Sequence, residues 1–369
     1  MFLVVWGIIA IMYKSLNLSK RGISLKPFIF IARSKSIASK LEKVGLSISK
    51  PWSICMNIGV VIVGALMVYA FYILASNLMV IATDAAQAGL YVIIPGLTIG
   101  WHAAPYFLLA AAITIVVHEV FHAITFGSER VPIKSFGIFL AVVLPGGFVE
   151  ASEEAFKARK ALPKMRIYAS GSFSNFMVFL LATAIMVLTI SPTPSGVLIL
   201  NTIEGYPAHE VLKSWDVIVS INSLNIHNRT DLDRVLSSIP PGSNISVSVL
   251  RGDKIITTFL VTASNPIDET KSFMGVEILD YHPSSIPWLK GEVYWHWILS
   301  LDWLRLISIS VAMINMLPIP LLDGSGFMRA IIEGLLKDKK RLNDILMSIL
   351  SSISLFLLLA NIMIPMIRP

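Results

Sequence analysis

A chain of 369 residues that is 55% hydrophobic and 14% charged, with a mean hydropathy of +0.74, carries more apolar side chains than one water-soluble core can bury. This excludes a soluble globular enzyme and predicts an integral, multi-pass membrane protein. The single cysteine, Cys55, excludes a disulfide framework and a cysteine-rich metal site, and the net charge of +7 matters through where it falls.

The apolar segment Met1–Tyr13 has no basic residue ahead of it, so it reads as a first, short crossing and not as a cleaved signal. Lys14, Lys20, Arg21, Lys26, Arg33, Lys35, Lys40, Lys43 and Lys50 follow, with Glu42 as the only acid among them. The positive-inside bias holds such a stretch in the cytoplasm, along the anionic surface of the lipid bilayer. Nucleic acid is not expected as a partner.

Further crossings are predicted at Trp52–Ala82, Ala104–Phe126, Ile167–Ile190, Trp295–Leu317 and Leu346–Ile367, which makes about six. Two other apolar patches, Leu90–Gly100 and Ser135–Gly147, are interrupted by Pro and Gly and predict re-entrant or loop structure. With the first basic stretch inside, the loop holding Arg130, Lys134, Lys157, Arg159, Lys160, Lys164 and Arg166 also falls inside. The loop holding Arg329, Lys337, Lys339, Lys340 and Arg341 does the same, so three basic segments agree on one topology.

The loop from Ser195 to Pro287 then lies outside the cytoplasm. It is polar, alternates like strands in "VLILNTI" and "SVSVLRGDKIITTFLV", and carries a helix signal in "RTDLDRVLSSI". Pro207-Ala208, Asp216-Val217-Ile218 and Ile221-Asn222 resemble the pattern of a PDZ domain of the envelope-protease type, with Trp215 and Ser223 where that pattern has glycine. The resemblance implies a groove that takes an extended peptide or substrate segment by strand addition, with Gly196–Ile199 as its lining strand. The expected fold is therefore mainly α: a polytopic transmembrane helical bundle with an inserted small α/β domain. Its parts are 1–50, a short membrane segment and basic stretch; 51–192, the first part of the membrane domain; 193–287, the PDZ-like domain; and 288–369, the second part of the membrane domain.

The chemistry concentrates in "VVHEVFHA", inside the Ala104–Phe126 crossing. His118 and His122 stand one helical turn apart on one face, the spacing that suits a single Zn²⁺, and Glu119 lies beside them to take a proton from a water held at the metal. Ionisable groups at membrane depth are costly and mark function. A catalytic zinc needs a third protein ligand, and "NMLPIPLLDG" supplies one: Pro318 and Pro320 break the helix and Asp323 follows at the broken end. His122 lies eight residues before Arg130 and Asp323 six before Arg329. At about 1.5 Å per helical residue, both sit at one level near the cytoplasmic boundary. Asn175, nine residues after Arg166 on a helix running the other way, reaches a similar level. The other histidines, His102, His209, His227, His282 and His296, are not expected to bind this metal.

HEVFH in a membrane helix, Gly171–Asn175 (GSFSN) in the next and NMLPIPLLDG after a PDZ-like insertion together resemble the site-2 protease family of intramembrane zinc metalloproteases. "PGGFVE", Pro145–Glu150, is similar to the loop those enzymes set beside the substrate. The resemblance implies one Zn²⁺ on His118, His122 and Asp323, with Glu119 as general base and a transmembrane protein as substrate. Asn175, or in second place Asn315, is expected to donate to the developing oxyanion. Gly146, Gly147 and Phe148 are expected to hold an unwound substrate segment along a strand edge, with Asn315 also among the substrate contacts. Two readings compete: a catalytically inactive scaffold that binds membrane proteins through its PDZ-like domain, and a metal transporter, which would spread polar residues over several layers.

Overall fold

The computed structural model of the chain describes residues 2–18, 22–83, 93, 98–142, 144–336 and 339–367. In chain order it opens with α1 (Phe2–Ser15), the hairpin β1 (Ile23–Lys26) and β2 (Ile29–Ser34), α2 (Lys35–Ser47) and α3 (Ser49–Thr83). Then come α4 (Ala104–Ser128), β3 (Ile133–Ala141), β4 (Leu144–Ala151), the short α5 (Glu153–Lys157) and α6 (Ala161–Thr189). A run of small elements follows: β5 (Val197–Thr202), α7 (Ala208–Val211), β6 (Val217–Ile221), β7 (Leu224–Asn225), α8 (Arg229–Ser237), β8 (Asn244–Arg251) and β9 (Lys254–Val261). Next are β10 (Ala263–Ser264), β11 (Ser272–Phe273), β12 (Val276–Asp280), α9 (Gly291–Ile314), α10 (Asp323–Leu336) and α11 (Lys340–Ile367). The fold is mainly α, with a β-rich insertion.

Among the described residues, five helices are long and apolar enough to cross a membrane: α3, α4, α6, α9 and α11. The expected first crossing does form a helix. At 14 residues, however, α1 is about 21 Å long, against a hydrocarbon layer of about 30 Å. Its Trp6 Nε1 donates to Val142 O, in the turn between β3 and β4, at 2.9 Å. The patch Leu90–Gly100 lies largely outside the described residues.

Ser135–Gly147, expected as loop or re-entrant structure, is strand. β3 and β4 pair antiparallel from Ile133↔Ala151 to Ala141↔Leu144, and β2 pairs along the other side of β3. The sheet order is β1-β2-β3-β4, so β4 ends the sheet. A backbone among apolar helices must satisfy its N–H and C=O groups internally, and the partner that does so for β3 comes from the basic N-terminal stretch.

The chain divides into two compact units, Met1–Leu181 with Trp303–Pro369, and Ala182–Asp302. The first has a core of Met56, Val63, Met67, Phe173, Met316 and Phe327. A polar cluster ties three of its helices together at one end. Trp52 Nε1 donates to Thr125 Oγ1 at 2.9 Å, and Ser53 Oγ to Glu129 Oε1 at 3.3 Å. Arg166 reaches Glu129 Oε1 at 2.8 Å and Asn57 Oδ1 at 2.9 Å. The side chains of Arg166 and Glu129 are only 15% and 9% exposed. Removing one partner of such a pair strands the other charge, so Glu129→Ala should destabilise the protein by on the order of 3 kcal/mol. Thermal unfolding in detergent micelles measures this, and an unchanged midpoint would mean that the pair carries no net stability.

The second unit is a sheet of order β12-β5-β6-β8-β9, with β7 on β6. Ile199, Ile218, Ile221, Leu232, Val247 and Met274 fill its core. Asn228 spends its side chain as the N-cap of α8, accepting from Asp231 N. Trp215 (φ 75) and Ser223 (φ 67) hold the left-handed conformation at the two places where the PDZ pattern has glycine. That geometry costs a non-glycine residue roughly 1–2 kcal/mol. Turns held by bonds such as Trp215 N to Ile199 O, 2.8 Å, override the local preference.

One expectation about this unit is corrected. Gly196–Ile199 is not a free groove edge, because β5 is paired with β12 on one side and with β6 on the other. The terminal strand beside α8 is β12, and Leu232, Leu236, Val276 and Ile278 line a cleft of about 150 Å³ there.

Candidate metal centre

α4 carries His118 and His122 four residues apart, and one turn of helix sets their Nε2 atoms 3.1 Å from each other. The third group arrives from a break in the chain. α9 stops at Ile314, Pro318 and Pro320 forbid regular helix, and Leu321 takes φ 78. The segment then turns back on itself, Gly324 N donating to Asn315 O at 2.8 Å, and α10 begins at Asp323. Asp323 Oδ2 consequently lies 3.1 Å from His118 Nε2 and 3.1 Å from His122 Nε2. His118, His122 and Asp323 are a group whose ligand atoms could share one metal ion. Three donors 3.1 Å apart pairwise nearly match the spacing, roughly 3.3 Å, of ligand atoms about 2.0–2.1 Å from one tetrahedral centre. The residues fit zinc.

The far sides of the two rings are also engaged. His122 Nδ1 lies 2.9 Å from Ile167 O. A carbonyl only accepts, so Nδ1 carries the proton and Nε2 turns its lone pair to the centre. His118 Nδ1 lies 3.0 Å from Asn175 Nδ2, and Asn175 is fully buried. Between these contacts α6 passes so close that a Cβ on Gly171 would run into His118 and His122. Both histidines are buried, whereas the Asp323 side chain keeps 20% of its exposure.

A cavity of about 460 Å³ opens on this centre, and His118, Glu119, His122, Asn315 and Asp323 are among its lining residues. Gly147, Phe148 and Val149 of β4 form another part of its wall. Gly147 abuts Glu119, and a Cβ there would overlap the Glu119 side chain. Gly146, expected beside the centre, is not part of this wall: it sits against Phe139 and lines a separate apolar cavity with Ala112, Ile138 and Pro145. Asn315 Nδ2 is 3.3 Å from His118 Nε2, on the cavity side of the ring. Of the residues expected from sequence, those of the centre and its wall therefore come together in one place. Asn175 does so from behind a histidine.

Tyr168 and Leu321 also line the cavity and were not singled out from sequence. Tyr168 was findable, since Tyr168, Gly171 and Asn175 stand at i, i+3 and i+7 on α6. Leu321 carries no such signal; its exposure follows from the turn that the two prolines impose.

A family model described as peptidase family M50 matches residues 106–361, more than half of the chain. The chain is 27% identical over 348 residues to an uncharacterised protein of Methanocaldococcus jannaschii, covering 92% of this chain and 86% of that protein. It is 22% identical over 182 residues to a membrane-bound transcription factor site-2 protease homolog of Arabidopsis thaliana. That match covers 48% of this chain and 36% of the plant protein. Among solved structures, the PDZ domain of the SdrC-like protein of Listeria monocytogenes matches at 18% identity with a TM-score of 0.22, covering 24% of this chain and 92% of that domain. The corresponding domain from Listeria innocua matches at 20% identity with a TM-score of 0.22, covering 24% and 97%.

Proposed function

The chain belongs to peptidase family M50, and from that premise we propose that it is an intramembrane zinc endopeptidase, cutting peptide bonds within or next to transmembrane segments of membrane proteins. The observation that carries this reading is the triangle of His118, His122 and Asp323 donor atoms, 3.1 Å on each side, beside a carboxylate that does not belong to it. When bound there, Zn²⁺ supplies Lewis-acid activation of water and of the scissile carbonyl.

The chain's own residues do the rest. Glu119 takes the proton of the attacking water and passes it to the leaving amide nitrogen, so the proton balance closes on one side chain. Asn315 is our choice for the oxyanion donor, because its amide faces the cavity next to His118 Nε2. The terminal strand β4 offers Gly146, Gly147 and Phe148 as an edge on which an unwound substrate segment pairs, which sets its backbone against Glu119. We place the catalytic centre toward the cytoplasmic side and the PDZ-like insertion outside, on the strength of the three basic segments. The cleft between α8 and β12 is the place for an extended peptide in that insertion.

The test is cleavage of a single-span protein substrate in proteoliposomes, with bound zinc measured in the same preparation. Chelation should lower cleavage at least about tenfold, and added Zn²⁺ should restore it. Cleavage that survives complete removal of the metal would overturn the reading. A zinc-free wild type whose insertion still binds peptide would favour the scaffold.

A further inference from the structure

Asn175 is a buried amide in the middle of a membrane helix, 0% exposed, and among the described residues its side chain meets one polar partner, a ring nitrogen. Its Nδ2 lies 3.0 Å from His118 Nδ1, while its Oδ1 is buried and has no hydrogen-bond partner among the described residues. With Nδ2 toward the ring, the amide donates to Nδ1. The other ring nitrogen of His118 then carries the proton and points it at Asp323 Oδ2, 3.1 Å away. That tautomer suits a carboxylate neighbour and cannot ligate a metal through Nε2. A half-turn of the amide puts Oδ1 where Nδ2 stands, and the amide then accepts from Nδ1–H and frees the Nε2 lone pair.

His122 needs no such choice: Ile167 O accepts from its Nδ1 at 2.9 Å, and the Ser170 hydroxyl, 3.2 Å from the same nitrogen, gives its own proton to Ile167 O at 2.7 Å and so can only accept from the ring. The two histidines therefore differ in how they are held: one by a carbonyl that can only accept, the other by a side chain that can do either. We infer that Asn175 is a positioning residue that sets the metal-binding tautomer of His118, and not the donor to the oxyanion. Asn175 meets the ring at Nδ1 and is not among the residues that line the cavity, whereas Asn315 is, which supports this. An outer partner of a metal-bound histidine acts through affinity, whereas an oxyanion donor acts on the chemical step. The inference rests on the zinc reading of the preceding section and adds to it the residue that keeps His118 in the binding form.

The experiment measures zinc affinity of the full-length protein in detergent by competition with a chelator, alongside substrate cleavage. Asn175→Leu removes the acceptor at similar volume, and Asn175→Asp keeps one. Asn175→Leu should bind zinc about 10–100-fold more weakly, and saturating zinc should recover most of its cleavage. Asn175→Asp should bind within a few-fold of wild type. Thermal midpoints of the metal-free proteins separate lost affinity from lost folding. If Asn175→Leu does not fold, the Asn175→Asp affinity decides, and a tenfold loss there overturns the inference. Unchanged zinc affinity in Asn175→Leu with a fall in cleavage at saturating zinc overturns it in favour of the oxyanion role, leaving the peptidase reading intact. A wild type that binds zinc but cuts nothing leaves the Asn175 assignment standing and sinks the peptidase reading. A wild type without zinc affinity sinks both.

Discussion

Glu119→Gln should lower cleavage about 10³-fold while leaving bound zinc unchanged. Gln has the shape of Glu and can still accept a hydrogen bond, but it cannot take up and deliver a proton at neutral pH. The metal is expected to stay because Glu119 is not one of the three donors, whose atoms already lie 3.1 Å from one another without it. The wall is expected to stay as well, since Gln fills the space against Gly147 in the same way. Single-turnover cleavage and metal analysis on one preparation separate the outcomes. A Gln variant that cuts at the wild-type rate would remove Glu119 from the proton path. One that loses zinc as well would make it a ligand or a support of the ligands.

Gly171→Ala should be nearly as damaging by a different route. In an ordinary helix this change is favourable by up to about 1 kcal/mol, because alanine has less backbone freedom to lose. Here the added methyl has no room, since it points into the imidazoles of His118 and His122. Either α6 moves away or the rings tilt off the centre, and both separate Nε2 atoms that must share one ion. The expected result is zinc affinity reduced by at least about 100-fold, with the thermal midpoint of the metal-free protein unchanged or modestly lowered, because the strain of the added methyl offsets the gain in helix propensity. Competition with a chelator and a melting curve suffice. Retained affinity would mean that the helices close on the centre less tightly than the contact at Gly171 implies.

The centre was legible because its chemistry dictates spacing. Two histidines one turn apart, an acid after a proline break and equal distances to basic boundaries are statements about helices, and helices are local. The membrane helices were legible for the same reason, although their ends were not. α6 starts at Ala161 and not at Ile167, since a helix continues beyond the apolar stretch that marks it. The β1-β2-β3-β4 sheet was hidden. Its two halves are separated by about a hundred residues and two membrane helices, and each half alone reads as something else: a basic stretch along the membrane surface, and a re-entrant or loop segment broken by Pro and Gly. Pairing across such a distance leaves no periodic trace within either partner. The groove strand of the insertion was misplaced for a related reason. Alternation identified β5 as a strand, but whether a strand is central or terminal depends on β12, some eighty residues later. For Asn175, sequence indicated the level; which face of His118 it meets depends on how α6 is turned about its axis.

The cluster of Trp52, Thr125, Glu129, Asn57 and Arg166 bears on how anything enters. It clamps α3, α4 and α6 at one end, and α4 and α6 are the helices that bear the histidines and Asn175. Those three helices then behave as one stiff jaw. The rest of the cavity wall includes β4, which among the described residues pairs with β3 alone, and the proline-broken turn. Movement of β4 would widen the cavity while the ligands on α4 stay in register, whereas movement of the Pro318–Leu322 turn would carry Asp323, the next residue, with it. An opening at β4 alone would admit a bulky chain without parting the three donor atoms, and it would leave the width of the entrance to the guest.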